Sequence, residues 1–133
     1  MSVWTHVSGI IRIDDFRFGN DTLPDFDKLI GKECQWESPM EIWDDTNENP
    51  QDYLPMGSEG SLEKSIWINP DTSCMSSYTV SIFGDLRDYE DSESIIEWFK
   101  NKINEINEIK WVRQAVIISE TEGIKPLTWY YNT

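Results

Sequence analysis

The fold is decided by the stretch LEKSIWINPDTSCMSSYTVSIFGD, residues 62–85. Apolar side chains recur at every second position in residues 78–83 and, with Lys64 as the exception, in residues 62–69. A period of two is typical of strands with one buried face. The connection, residues 70–77, is rich in Pro, Asp, Thr and Ser, which favour turns. The stretch therefore predicts two strands joined as a hairpin, the second ending at Gly84-Asp85.

The segments before and after this hairpin predict further strands and two helices. Residues 3–13 alternate as a half-buried strand that Asp14-Asp15 is expected to end, and residues 23–31 indicate a short helix. The main helix is predicted over residues 92–106, where apolar residues share one stripe. Two more strands are predicted at 112–120 and 127–131, joined by a turn around Glu122-Gly123.

This order predicts an α+β fold, a ferredoxin-like βαββαβ two-layer sandwich with an extra C-terminal strand and a long acidic loop. A chain of 133 residues fits a single domain, 1–133. In this arrangement both helices cover one face of the sheet, and the other face stays open for solvent, a partner or the loop.

The charge of the chain excludes two classes of partner. The sequence has 25 Asp and Glu against 11 Lys and Arg, a net charge of −14, while 13% aromatic residues argue against disorder. Such a surface repels phosphate backbones and anionic lipid, so we expect no direct binding to nucleic acid or membranes.

The N-terminal sequence and the cysteines predict a cytoplasmic protein. MSVWTH has no cationic segment followed by a long apolar one, so no signal peptide is expected, and no apolar run approaches the ~18 residues of a membrane span. Cys34 and Cys74 are expected to be reduced thiols, although whether they pair stays open.

Acidic residues are concentrated in the loop 33–60 and in residues 85–97. The loop has eight Asp and Glu and no Lys or Arg, interleaved with Trp and Tyr. Long loops in compact domains are usually functional, and aromatic anchors with a charged rim are typical of protein interfaces. The predicted partner-binding residues are Glu37, Glu41, Trp43, Asp44, Asp45, Glu48, Asp52, Tyr53, Asp85, Asp88, Glu90 and Asp91.

The open face of the predicted sheet offers an alternative site. The strand alternation directs Trp4, His6, Trp67, Phe83 and Arg113 away from the helices. Exposed aromatic residues on such a face suit a small molecule or nucleotide, with the turn Gly57–Ser61 as a backbone nest for a small anion. We expect, however, that the loop or a partner, such as a second copy in a homodimer, covers this face.

No catalytic arrangement passes a spacing test, so the chain is not predicted to be an enzyme. His6 is the only histidine, and although many serines and acids could lie beside it, nothing in the spacing selects one as its partner. Glu108-Ile109-Lys110 matches a short nuclease pattern, but it lies at a helix exit in an acidic chain.

No metal or other cofactor is predicted. Asp45, Asn47 and Asn49 match the first positions of a calcium loop, but Pro50 stands where glycine is needed and Met56 where glutamate is needed. One histidine and two cysteines are too few for a structural zinc site.

Two parts of the sequence resemble a known group of proteins: the stretch that runs from GSEG at 57–60 through SIFGDLRDY at 81–89, and the opening VWTHV at 3–7. They are similar to small uncharacterised acidic proteins of bacteriophages and prophages. The resemblance covers about half the chain and carries no assigned residues. It implies an antagonist of a host enzyme or defence system, including a mimic of DNA.

These observations favour an acidic interaction module, phage-encoded, that inhibits a basic, nucleic-acid-binding host or defence protein by charge mimicry. A net charge of −14 exceeds the ~2–8 that keeps a small domain soluble. The alternative is a small-molecule or nucleotide-binding module that uses the open sheet face.

Overall fold

The computed structural model describes residues 2–16, 24–34, 52–68 and 75–132. Within them the strands are β1 (Trp4–Phe16), β2 (Met56–Gly57), β3 (Gly60–Ser61), β4 (Glu63–Ile68), β5 (Met75–Arg87), β6 (Trp111–Thr121) and β7 (Leu127–Asn132). The helices are α1 (Phe26–Leu29) and α2 (Ser92–Asn107).

Five strands form an antiparallel sheet in the order β4-β5-β1-β6-β7, and β2 pairs with β3 in a separate ribbon. β1 is central, with Val7 opposite Gly84 of β5 and opposite Ser119 of β6. Because β5 and β6 both run antiparallel to β1, they run in the same direction, and α2 connects them. The α+β class predicted from the sequence is confirmed.

The core lies between α2 and the inward face of the sheet. The predicted stripe of α2 is buried, and the rings of Phe99 and Trp129 on β7 are nearly perpendicular, with 5.8 Å between ring centroids. The strands contribute Val7, Ile11, Ile13, Val80, Ile82, Val112 and Ile117. The period of 3.6 residues in α2 and the period of two in β1 and β5 therefore identified the inward faces of these elements correctly.

β1 continues beyond its predicted end. Asp14 and Asp15 lie within the strand. The buried carboxylate of Asp14 accepts hydrogen bonds from Ser77 Oγ (2.9 Å) and Arg113 Nη1 (3.1 Å), and Asp15 accepts one from Lys110 Nζ (2.9 Å). The prediction that these aspartates end the strand is wrong because neighbouring strands and the α2–β6 turn supply partners for both carboxylates.

The end of β5 and the extent of α1 also differ from prediction. β5 passes through Gly84-Asp85 and ends at Arg87. Gly84 has φ 150°, and an added Cβ there would lie 3.2 Å from Leu62 Cδ2, so this glycine permits close packing and does not end the strand. α1 has four residues and is capped by Asp25, whose carboxylate accepts from the backbone N–H groups of Asp27 and Lys28.

A buried chain of hydroxyl groups fixes the start of α2 to the sheet. Thr5 Oγ1 lies 2.8 Å from Thr121 Oγ1, which lies 2.7 Å from Ser92 Oγ at the first residue of α2. Ser119 Oγ lies 3.0 Å from the same Ser92 oxygen, and Thr5 also donates to the carbonyl of Tyr89. These bonds position the acidic N-terminal turn of α2 relative to β1 and β6.

Replacing Tyr78 by phenylalanine is expected to stabilise the protein by about 1–3 kcal/mol. Tyr78 is fully buried, and its hydroxyl has no hydrogen-bond partner, the only such side-chain atom among the described residues. Urea denaturation measures the change. Tyr89→Phe is the control and should destabilise, because the Tyr89 hydroxyl pairs with Ser94 Oγ. Equal stability of Y78F and wild type would contradict the prediction.

Candidate functional site

A cleft of about 910 Å³ separates α2 from the segment 53–56. Its volume lies within the ~300–1,000 Å³ of typical ligand sites. The cleft is lined by aromatic residues, by acidic residues and by Leu54, Pro55 and Met56 of this segment. The cleft is therefore large enough to receive one or two long side chains from another molecule.

The segment 53–56 is held by backbone hydrogen bonds and by one buried side chain. Lys32 N donates to the carbonyl of Asp52 at 3.0 Å, and Leu54 N donates to the carbonyl of Lys32 at 2.8 Å. Leu54 is fully buried in the core, and Lys32 Nζ lies 5.7 Å from the centroid of the Tyr53 ring. These contacts make the segment a fixed wall of the cleft.

The opposite wall is acidic because of the spacing along α2. Glu93, Glu97 and Glu105 recur at multiples of four residues, so they lie on one side of the helix together with the cap residue Asp91. Glu105 pairs with Lys102 at 3.0 Å, and Glu97 lies 3.6 Å from Lys100. Among the described lining residues, four carboxylates face a single lysine, Lys102.

Three aromatic side chains line the cleft between these acids: Tyr53, Tyr89 and Trp98. Burial raises the pKa of the Tyr89 hydroxyl; its hydrogen bond with Ser94 lowers it, and the charge of Asp91 raises it further. Tyr89 is therefore a neutral phenol at physiological pH. Aromatic rings beside carboxylates can contact the aliphatic and cationic parts of a lysine or arginine side chain.

The structure brings some of the predicted partner-binding residues to this cleft. Tyr53 and Asp91 line it, and Asp52 is exposed immediately before Tyr53. The predicted residues Glu37, Glu41, Trp43, Asp44, Asp45 and Glu48 lie outside the described residues.

The predicted 85–97 cluster is divided between different surfaces. Asp85 lies on the outward face of β5, whereas Asp91 caps α2 on the other side of the sheet. Asp88 occupies a turn with φ 58° and accepts a hydrogen bond from Ser58 Oγ at 2.8 Å, and Glu90 is exposed in the same connection. Only the helical part of the predicted cluster contributes to the cleft.

The outward face of the sheet consists of rows of directly paired residues. In the order β5, β1, β6, β7, the Arg12 row is Thr79, Arg12, Gln114 and Asn132, and the Ile10 row is Ser81, Ile10, Val116 and Tyr130. The next row is Phe83, Ser8, Ile118 and Thr128. The His6 row is Asp85, His6 and Glu120. The centre of this face is apolar, with Ile118 45% and Tyr130 74% exposed.

The residues predicted for this face lie on it but are dispersed. Trp67 is 55% exposed and Phe83 is 39% exposed. Trp4 is at the start of β1, whereas Arg113 is on β6 beside the far end of β1, so at ~3.3 Å per residue the two are roughly 30 Å apart. Arg113 interacts with Asp14 and lies 6.0 Å from the centroid of the Trp111 ring. The five predicted residues therefore do not form one pocket.

Covering of this face by the long loop was also expected. Of the loop residues that the structure describes, Tyr53–Met56 line the cleft on the helical side, and the outward aromatic residues remain exposed.

His6 forms a polar contact across the sheet. Its Nδ1 lies 2.6 Å from Asp85 Oδ1, and Glu120 is its partner on β6. The hydrogen bond with Asp85 raises the pKa of His6, the slight burial lowers it, and the charges of Asp85, Glu122 and Glu120 raise it further. The pair is exposed, and among the described residues no nucleophile is hydrogen-bonded to His6.

We expect a pKa above 6.5 for His6, which an NMR titration of its ring protons measures directly because it is the only histidine. Since the folded-state pKa is raised, the stabilisation from this contact is complete below the unfolded pKa and is lost as pH rises through the folded pKa. Asp85→Asn should return the pKa towards 6.5, while the control Asp88→Asn should not. Equal values in all three proteins would contradict this assignment.

The turn Gly57–Ser61 connects β2 to β3 and packs on the end of β5. Ser58 N donates to the carbonyl of Arg87 at 3.0 Å, and Glu59 forms an ion pair with Arg87. A Cβ at Gly57 would lie 2.4 Å from the Arg87 carbonyl oxygen, so this glycine is required for the close approach. With Glu59 at its tip, the turn suits a structural contact better than an anion site.

The metal and nuclease motifs do not form a site in the described part of the chain. No group of three His, Cys, Asp or Glu residues there is arranged to hold a metal ion. Asp45, Asn47, Asn49 and Cys74 lie outside the described residues, and Cys34 is buried. Glu108 caps the C-terminus of α2 and Lys110 pairs with Asp15, so the nuclease-like pattern completes a helix end.

Several residues that line these surfaces were not identified from sequence. Glu105 and Trp98 belong to the cleft, and the i, i+4 recurrence of Glu93 and Glu97 was an available signal for the acidic stripe. Arg12, Gln114 and Tyr130 come together only through the register of four strands.

No family model, no curated protein and no solved structure matches the chain, so no relative of known activity, enzymatic or otherwise, is found. Among the described residues, no helix is long and apolar enough to cross a membrane.

Proposed function

We propose that this chain is an acidic protein-interaction domain that binds a lysine- or arginine-rich segment of another protein in the cleft beside α2. The observation that supports it most is the composition of the cleft: Asp91, Glu93, Glu97 and Glu105, with Lys102 as the single lysine among the described lining residues. Tyr53, Tyr89 and Trp98 provide ring surfaces for the aliphatic stems of basic side chains.

The arrangement also supports inhibition by charge mimicry. Glu93 and Glu105 are twelve residues apart, about 18 Å along the helix, so the carboxylates present an extended negative stripe. Proteins that bind nucleic acids present lysine and arginine grooves to a similarly extended line of charge. A basic host or defence protein of this kind is the proposed target, consistent with the resemblance to acidic phage proteins.

We further infer that the fold is a variant of the ferredoxin-like arrangement. The order β4-β5-β1-β6 and the connection of two equally directed strands by α2 support this topology. The additions are β7 at the sheet edge, the β2–β3 ribbon and an α1 reduced to one turn.

The test is binding to a short poly-arginine peptide by calorimetry at rising salt concentration. Each exposed carboxylate is worth ~0.5–1 kcal/mol in a charge pair, so E93Q/E97Q/E105Q should weaken binding ~10- to 100-fold. Asp91 is left unchanged because it caps α2 through Ser94 N at 3.1 Å.

The matched control is E63Q/E108Q/E120Q, which removes the same charge from exposed positions away from the cleft. It should bind nearly as well as wild type. Binding that is insensitive to salt, or equal losses in the two triple variants, would overturn the assignment of the cleft as the site.

A further inference from the structure

A shallow depression of about 400 Å³ lies on the outward face of the sheet, on the side opposite α2. It is formed where the Arg12 row meets the Ile10 row. The Arg12 row supplies the guanidinium of Arg12 and the carboxamides of Gln114 and Asn132. The Ile10 row supplies the aliphatic side chains of Ile10 and Val116 and the ring of Tyr130. A polar edge therefore lies directly beside an apolar floor.

Within the described ranges, no residue pairs with the polar side chains of this depression. Arg12, Gln114 and Asn132 form no side-chain hydrogen bond or ion pair with any described residue. By contrast, Arg87 pairs with Glu59 and Arg113 with Asp14. An exposed arginine that has no acidic partner among the described residues leaves its guanidinium available to an anion.

The dimensions restrict what such a site can hold. Adjacent strands are ~4.8 Å apart, so Arg12 on β1 and Asn132 on β7 are about 10 Å apart across β6. Arginine binds phosphate in a bidentate manner, carboxamides bind the edges of nucleobases, and aromatic rings stack on their faces. The strongly negative net charge disfavours a polynucleotide, whose charge extends beyond the site.

We propose that this depression binds a mononucleotide, with its phosphate at Arg12 and its base against Tyr130, Gln114 and Asn132. This inference is independent of the acidic cleft, since the two sites lie on opposite faces of the sheet. Nothing in it requires a metal or a covalent step. The site is a recognition surface built by strand register.

The test is titration of the protein with adenosine 5′-monophosphate (AMP), followed by NMR amide shifts and calorimetry, with adenosine and inorganic phosphate as separate probes. AMP should shift the amides of β1, β6 and β7 around the depression. Arg12→Met should weaken AMP binding at least ~10-fold and leave adenosine binding unchanged, whereas Tyr130→Ala should weaken both. Both side chains are exposed, so the variants should fold, which thermal denaturation verifies.

The matched control is Lys125→Met, which removes one exposed positive charge outside the depression and should bind AMP like wild type. The proposal is overturned if AMP does not bind wild type, or if its shifts map elsewhere. It is also overturned if R12M and K125M weaken binding equally, or if phosphate alone binds as tightly as AMP.

Discussion

Leu54→Ala is expected to lower the free energy of unfolding by about 2–5 kcal/mol, the usual cost of a cavity in a packed core. Leu54 is fully buried although it belongs to the long acidic loop, and its backbone N–H is bonded to the carbonyl of Lys32. The backbone bond holds the residue in place, so the core has little freedom to collapse into the space left by the side chain. Urea denaturation followed by tryptophan fluorescence measures the loss.

Met56→Ala is the control in the same segment, because Met56 is only partly buried and its truncation should cost ~1 kcal/mol or less. A Leu54→Ala variant within ~1 kcal/mol of wild type would show that this segment is not part of the core. Under conditions in which L54A remains folded, its affinity for a basic peptide should fall, since the wall opposite α2 is no longer held.

The alternation of residues in the strands and the stripe of α2 were sufficient to predict most of the architecture. Val80 and Ile82 point inward while Phe83 points outward, as a period of two requires, and Phe99 lies on the buried stripe of the helix. These features depend on local geometry, which the sequence carries directly. The outward direction of Trp67 followed from the same rule.

The candidate sites were harder to predict because they depend on contacts between distant residues. Asp85 and Asp91 are close in sequence, yet one lies on an outward strand position and the other caps a helix on the opposite side. The cleft exists because Lys32 and Leu54 are joined by a backbone hydrogen bond, which no local pattern indicates.

The continuation of β1 shows a related limit of local reasoning. Asp14 and Asp15 have low strand propensity, but Arg113 and Lys110 supply partners from nearly a hundred residues away. The bulge that directs Arg113 towards Asp14 appears as a register shift between β1 and β6 at Arg12/Ile13. The ion pairs with Arg113 and Lys110 therefore outweighed the low strand propensity of the two aspartates. The pairing of β1 with β6 also places Gln114 beside Arg12 on the outward face.

Reversing three cleft charges with E93K/E97K/E105K is expected to weaken binding to a poly-arginine peptide by at least ~100-fold, because each attraction is replaced by a repulsion of similar size. All three glutamates are exposed, and the ion pairs of Glu97 and Glu105 are with Lys100 and Lys102 of the same helix, so the helix should persist, as circular dichroism will verify. The control E63K/E108K/E120K changes the net charge equally on surfaces outside the cleft, and it should lose less than ~10-fold through the weaker long-range field. If the two reversed proteins lose affinity equally at physiological salt, the interaction follows total charge and the cleft is not the binding site. If only the cleft variant loses binding, the acidic stripe of α2 is the surface that the basic partner contacts.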